Sequence, residues 1–178
     1  VRSKNFEKNN IFGGFTNLLV RNQTQLRSVH KNIKNELAIL IEPLACSLGA
    51  IKKANIKNGD KILIIGAGII GQGIIHLLRY FYKDKIKIVI ATNSLNHKEI
   101  IKKSSVNKII FKKDIFLESS KFLKTKLKKR FKNKILAEGY DKIFECSGTN
   151  KIANNILRLA NYNSEIILVG MNMNNFKF

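Results

Sequence analysis

The sequence predicts an α/β fold built on a doubly wound parallel sheet. Short apolar, β-branched runs recur along the chain, and stretches of helical apolar spacing separate them. One such run, Lys61-Ile-Leu-Ile-Ile65, passes directly into Gly66-x-Gly68-x-x-Gly71 and then into a helical stripe. No two runs are joined by a tight hairpin signal, so the alternation argues for crossover connections and a parallel sheet.

Taken in order, Val1 to Asn10 is polar and is expected to be loose at the tip. Phe15 to Val20 reads as a short strand after the Gly13-Gly14 turn. Residues 21–34 read as polar connection, and Leu37 to Ile41 as a helical turn or two. Pro43 suits the first turn of a helix, where its missing N–H costs nothing, and Leu44, Leu48 and Ile51 then form a stripe. Asn55 to Asp60 reads as a turn.

Ile62 to Ile65 reads as a strand buried on both faces. The spacing of Ile70, Ile74, Leu77, Leu78 and Phe81 predicts one face of the following helix. Ile86 to Ala91 and Lys108 to Phe111 read as the next strands, with a helix from His97 to Lys103 between them. Residues 114–138 read as a basic helix, with Leu123, Leu127 and Phe131 on one face and lysines on the other. Tyr140 to Glu145 reads as a fourth strand ending in a glycine loop. Ile152, Ile156 and Leu159 mark a helix, and Glu165 to Gly170 a fifth strand. A six-stranded sheet of this kind would lack its last strand.

Strand, glycine turn and helix in this order form the context of a dinucleotide-binding fingerprint. The first glycine permits a tight turn, the second admits a pyrophosphate, and the third lets helix and strand pack closely. The amide end of the helix would attract the phosphates. The competing reading is a glycine-rich turn that serves packing alone.

The 178 residues are enough for one domain with a core, and 44% of them are hydrophobic. No apolar run approaches the ~20 residues of a membrane span, and the first residues lack a signal peptide's apolar core. The two cysteines, Cys46 and Cys146, form no C-x-x-C pair, which points to a reducing, cytoplasmic setting without a disulfide framework. The net charge of +21 could serve an anionic partner such as nucleic acid. Lysine far outnumbers arginine and is spread along the chain, however, so compositional drift is the preferred account and nucleic acid is not the expected partner.

Several pieces together resemble the zinc-dependent medium-chain dehydrogenase/reductase family. They are Gly13-Gly14-Phe15, Ile41-Glu-Pro-Leu-Ala-Cys46, Asn58-Gly-Asp-Lys-Ile-Leu-Ile-Ile-Gly-Ala-Gly68, Glu145-Cys-Ser-Gly148 and Leu168-Val-Gly170. The Glu-Pro-Leu-Ala element is similar to the polyol and threonine dehydrogenase branch. The resemblance implies a Rossmann domain over 35–178, incomplete at its C-terminal edge. It also implies a remnant of a GroES-like catalytic domain over 1–34.

The family's cofactor positions then fall on Gly66, Gly68, Ile69, Ile70 and Gly71 around the pyrophosphate. Cys146, Ser147 and Gly148 would lie against a ribose, and Val169 and Gly170 near the nicotinamide. The resemblance places Glu42 at a catalytic zinc, as a ligand or through its water. Its other ligands would lie upstream of Val1, so zinc binding by this chain alone is not expected. An acidic residue is expected at the end of the second strand, about 20 residues past the glycines, to hold the adenosine ribose. Thr92 or Asn93 stands there instead, with His97 and Lys98 nearby, which leaves both NADP and NAD open.

The function so implied is hydride transfer between a nicotinamide cofactor and a secondary alcohol, with this chain mainly the cofactor domain and homo-oligomerisation possible in principle. The alternatives are a non-catalytic nucleotide-binding module and a basic anion-binding protein. The remaining polar residues are read blandly: Cys46 as core, Glu145 as a capping or ion-pairing carboxylate, and His76, Tyr80 and Tyr82 as packing or surface.

Overall fold

The computed structural model describes residues 17, 19–130, 133–149 and 155–170. The helices are α1 (Asn35–Ala38), α2 (Ile41–Lys53), α3 (Ile69–Tyr82), α4 (Leu95–Lys102) and α5 (Ile115–Leu123). The strands are β1 (Lys61–Ile65), β2 (Lys87–Thr92), β3 (Lys108–Phe111), β4 (Leu127–Arg130), β5 (Asn133–Leu136), β6 (Tyr140–Glu145) and β7 (Ala160–Leu168).

Five strands form one parallel sheet in the order β3-β2-β1-β6-β7, and every pairing in it is parallel. The chain winds outward from β1 to β3, then returns to place β6 against the free side of β1. β1 is therefore central. Its residues alternate between two cores, as a strand period of two requires. Ile62 and Ile64 join Ile74, Leu78, Ile88, Ile90 and Phe144 on one face. Leu63 and Ile65 join Val89, Tyr140, Ile143, Ile156 and Leu159 on the other. Covering both faces is what makes this strand apolar throughout.

On the first face, α2 packs against α3 through a close crossing. A Cβ on Gly73 would stand 2.5 Å from Ser47 Oγ, so the glycine lets the helices meet. The Ser47 hydroxyl is satisfied by the carbonyls of Pro43 and Ile70. At the other end of α3, Arg79 ties three segments together. Its guanidinium donates to the carbonyls of Lys83 and Ser105 and, at 2.8 Å, to Asn107 Oδ1, which also accepts from Ile88 N–H.

The chain separates into two units, 1–38 and 39–178. In the first, Asn22 caps a single 3-10 turn over Gln23–Gln25 and α1 is one helical turn, with no buried residue in either. No described helix is long and apolar enough to cross a membrane.

The expected elements are present from α2 to β3 and at β6, with ends shifted by a residue or two. Phe81 and Leu44 do not join the core; they are 51% and 37% exposed, and Ile75 and Ala50 are buried instead. β7 starts earlier than expected, at Ala160. The expected strand over Phe15–Val20 is not found at Leu19 and Val20, which are exposed and in no regular element. Its other positions, apart from Asn17 at a bend, lie outside the described residues, as do Gly13, Gly14 and Ile152.

The helix expected over 114–138 is the clear correction. Only α5 is helical. Asp114 caps its start by accepting from Phe116 and Leu117 N–H. Lys124 ends it in the left-handed region, at φ 54°, and Ser120 Oγ donates to the Thr125 carbonyl. The chain then forms the antiparallel hairpin β4–β5, with Leu127 opposite Leu136 and Lys129 opposite Lys134. A spacing of four fits a strand's period of two as well as a helix's 3.6. Leu123 and Leu127 therefore both reach the core, but from different elements.

Candidate active site: the cleft at the carboxyl ends of β1 and β6

The sheet reverses its winding between β1 and β6, and ligands of open α/β sheets bind outside the strand ends at such a point. A cavity of about 720 Å³ opens there. Three turns converge on this region.

The first follows β1. Gly66 adopts φ +100°, a conformation that side chains disfavour. A Cβ there would stand 2.9 Å from Ser147 N and 3.0 Å from the Cys146 carbonyl carbon. Gly71 sits under the same turn, where a Cβ would lie 2.1 Å from the Gly66 carbonyl oxygen. Both glycines therefore let backbone meet backbone. Gly68 differs: its φ of −67° is ordinary, and an added Cβ would meet nothing within 4 Å. It borders open space and begins α3. No side chain caps α3, and its first turn holds no acidic residue. Its leading N–H groups thus have neither a side-chain cap nor an acidic residue of their own first turn to oppose their positive end. Gln72 steadies the turn by donating to the Ala67 carbonyl at 2.8 Å.

The second turn follows β6. Glu145 is fully buried. Its Oε1 accepts from Ser147 N–H at 2.8 Å and Gly148 N–H at 3.0 Å, and also from the Ser147 hydroxyl. The carboxylate thus folds its own loop back over itself. The Cys146 N–H donates to the Ile65 carbonyl at 2.8 Å, joining this turn to the first. Burial, with the nearby Glu145 charge second, pushes the Cys146 thiol up to about 12, so it stays protonated at neutral pH.

The third turn follows β7. Val169 and Gly170 N–H both donate to the Glu145 carbonyl at 2.8 Å. A Cβ on Gly170 would stand 2.4 Å from Gly148 N and 2.7 Å from Glu145 Oε2.

Of the positions expected from sequence, Gly66, Gly68, Thr92, Asn93, Cys146 and Ser147 line the cavity. Ile69, Ile70, Gly71, Gly148, Val169 and Gly170 do not. Gly71, Gly148 and Gly170 lie in the close backbone contacts beneath it. At the end of β2, Thr92 Oγ1 accepts from Ser94 N–H at 3.2 Å. His97, Lys113, Asp114 and Phe116 also face the cavity. Of these only His97 carried a sequence signal, its closeness to the second strand. The others come from the segment after β3, far along the chain. Glu145, read from sequence as a capping or ion-pairing carboxylate, does cap its own loop; its closeness to Gly170 carried no sequence signal.

Glu42 does not line the cavity. It sits exposed in the first turn of α2, where the Cys46 thiol donates to its Oε1 at 3.3 Å. That hydrogen bond, before any other cause, raises the thiol's pKa and keeps it neutral. Cys46 itself is exposed rather than core. Among the described residues no three His, Cys, Asp or Glu side chains gather where an ion could bind. A catalytic zinc takes about three protein ligands, so these residues do not make up a zinc site.

No family profile matches the chain. In sequence it is similar to (R,R)-butanediol dehydrogenase from Neisseria gonorrhoeae, at 28% identity over 160 residues, 89% of this chain and 42% of that protein. It is likewise similar to sorbitol dehydrogenase from Halalkalibacterium halodurans, at 27% over 159 residues, 89% of this chain and 43% of that one. The chain spans less than half the length of the curated relatives it matches. In fold it is similar to a short chain alcohol dehydrogenase from Escherichia coli CFT073 complexed with NADH (TM-score 0.68, 20% identity, 85% of this chain and 41% of that one). It is also similar to a zinc-binding dehydrogenase from Sinorhizobium meliloti bound to NADP (TM-score 0.57, 18% identity, 76% and 37%).

Proposed function

With its kinship to the zinc-dependent medium-chain dehydrogenase/reductase family as the premise, we propose that this chain is the cofactor-binding part of an NAD(P)-dependent oxidoreductase. The substrate class is a secondary alcohol, a polyol or a related diol. The observation that carries the reading is the start of α3: an uncapped helix end, opening at Gly68 onto unfilled space, at the point where the sheet reverses.

In this reading the N–H groups beside Gly68, Ile69 and Ile70 receive the diphosphate. Gly66 and Gly71 act by keeping the turn thin enough to bring that helix end forward. Thr92 and Asn93 border the adenosine ribose. The Cys146–Gly148 turn, shaped by Glu145, borders the other half of the dinucleotide, with Val169 and Gly170 behind it. When bound, the nicotinamide would accept or supply the hydride. The protonated Cys146 thiol acts there as a small neutral wall rather than as a nucleophile.

The domain assignment belongs to the same proposal: residues 1–34 as the end of a catalytic domain and 35–178 as the dinucleotide-binding domain. Glu42 would contribute to a zinc site only together with ligands from outside the described residues.

The test is direct binding. NADPH and NADH are titrated into the full chain while reduced-nicotinamide fluorescence and the melting temperature are followed. Ligand at a hundred times its Kd adds about 2.7 kcal/mol of stability, a clear melting shift. No response to either nucleotide at millimolar concentration removes the proposal.

A further inference from the structure

We infer that the β2 side of the cleft selects the 2′-phosphorylated dinucleotide, NADP(H), over NAD(H). This rests on the cofactor reading above and concerns the same site.

A site for NAD needs an acceptor for the free ribose hydroxyls, and a carboxylate at the end of the second strand usually supplies it. That carboxylate also repels a 2′-phosphate, so one residue sets the choice twice over. Here β2 ends at Thr92, and the next two residues are Asn93 and Ser94. All three line the cavity, and none is acidic. Asn93 is exposed, and its amide can donate to an anion.

The cation among the described lining residues, Lys113, favours an anion, and the His97 imidazole can donate a hydrogen bond to one. His97 on α4 and Lys113 after β3 both line the cavity. Lys113 is within electrostatic reach of Glu118, but that carboxylate has closer partners in Lys108, at 3.1 Å, and Lys121, at 3.5 Å.

The one carboxylate among the described lining residues is Asp114, and it is engaged. Its Oδ1 accepts from Phe116 and Leu117 N–H at 2.9 and 3.2 Å, and its Oδ2 is paired with Lys134. Among the described lining residues the wall thus offers a ribose diol no free carboxylate, and it offers an anion the Lys113 ammonium and the His97 imidazole. A phosphomonoester carries a charge of about −2 at neutral pH, so even a screened, solvent-exposed site gains from these partners.

The experiment measures Kd for NADPH and NADH on the full chain, at low and moderate salt. Asn93→Asp and Lys113→Ala are measured beside the parent, with melting curves to show that each variant is folded. The inference expects NADPH to bind about tenfold or more tightly than NADH, with its Kd rising more steeply with salt. Asn93→Asp should cancel or reverse the preference. Lys113→Ala should weaken NADPH several-fold and leave NADH unchanged. Adenosine 2′,5′-bisphosphate should compete better than 5′-AMP. Equal Kd values, or tighter NADH, overturn the selectivity and leave the dinucleotide reading standing. A preference for NADPH that Asn93→Asp leaves untouched overturns the assignment to this wall. No binding of either nucleotide removes the cofactor reading and this inference together.

Discussion

The turns after β1 and β6 lie side by side, and they achieve close contact by opposite means. The β1 turn is built by omission: Gly66 and Gly71 have no side chains where side chains would collide with backbone. The β6 turn is built by addition. A buried carboxylate, Glu145, gathers the N–H groups of its own loop and sits against Gly170. The comparison shows two solutions to one problem. Backbone polar groups brought close together must either meet one another's partners or be given a partner from a side chain.

The largest expected effect breaks the first solution. Gly71→Ala should cost about 3 kcal/mol in urea unfolding, since its Cβ would overlap the Gly66 carbonyl and neither segment can move freely. Breaking the second should cost somewhat less. Glu145→Ala leaves the Ser147 and Gly148 N–H groups without their acceptor, for about 2 kcal/mol. Glu145→Gln sharpens the contrast, because an amide oxygen can still accept those bonds. It should retain most of the lost stability; a Gln variant as unstable as Ala would mean that charge, not the hydrogen-bonding oxygen, holds the loop.

A smaller effect lies in alkali. The Cys146 thiol is held up to about 12, against an ordinary value of 9.0. The native chain keeps that proton after the unfolded chain has lost it. Its stabilising contribution is therefore complete below pH 9 and lost as pH rises toward 12. Melting temperatures recorded from pH 8 upward should fall, and Cys146→Ala should flatten that decline. Tyr140, also raised to about 12 by burial, titrates over pH 10 to 12 and will remain as a second contribution. An unchanged slope in the cysteine variant would show the thiol to be solvated.

The smallest effect on stability separates the glycines from one another. Gly68→Ala should change unfolding by within about 0.5 kcal/mol, since its φ is ordinary and its surroundings are open. Its nucleotide affinity should nevertheless fall about tenfold, because the methyl would occupy the space proposed for the diphosphate. If Gly68→Ala binds as tightly as the parent, the open space beside it is not where the ligand lies.

How much of this was legible before the fold was known follows the distance over which each feature is decided. Strand β1, its glycine turn and α3 were legible because each states its condition locally, in the run Ile62–Ile65, three glycines and the stripe around Ile74 and Leu78. The parallel direction of the sheet followed from the alternation of elements. The hairpin β4–β5 was not legible. Leu123 and Leu127 fit two periods, and the choice between them lay in the left-handed end of α5 at Lys124 and in the core that receives Leu136.

What the sequence determined by itself is the apolar central strand and the thin turn behind it, since β-branching, missing side chains and helical spacing act within a few residues. What only the tertiary structure decided is that the Glu145 carboxylate lies against the turn after β7 and that Lys113 lines the cavity beside the end of β2. These depend on segments far apart along the chain arriving within a few ångströms of one another. Burial and electrostatic reach are properties of that arrival and not of any residue alone.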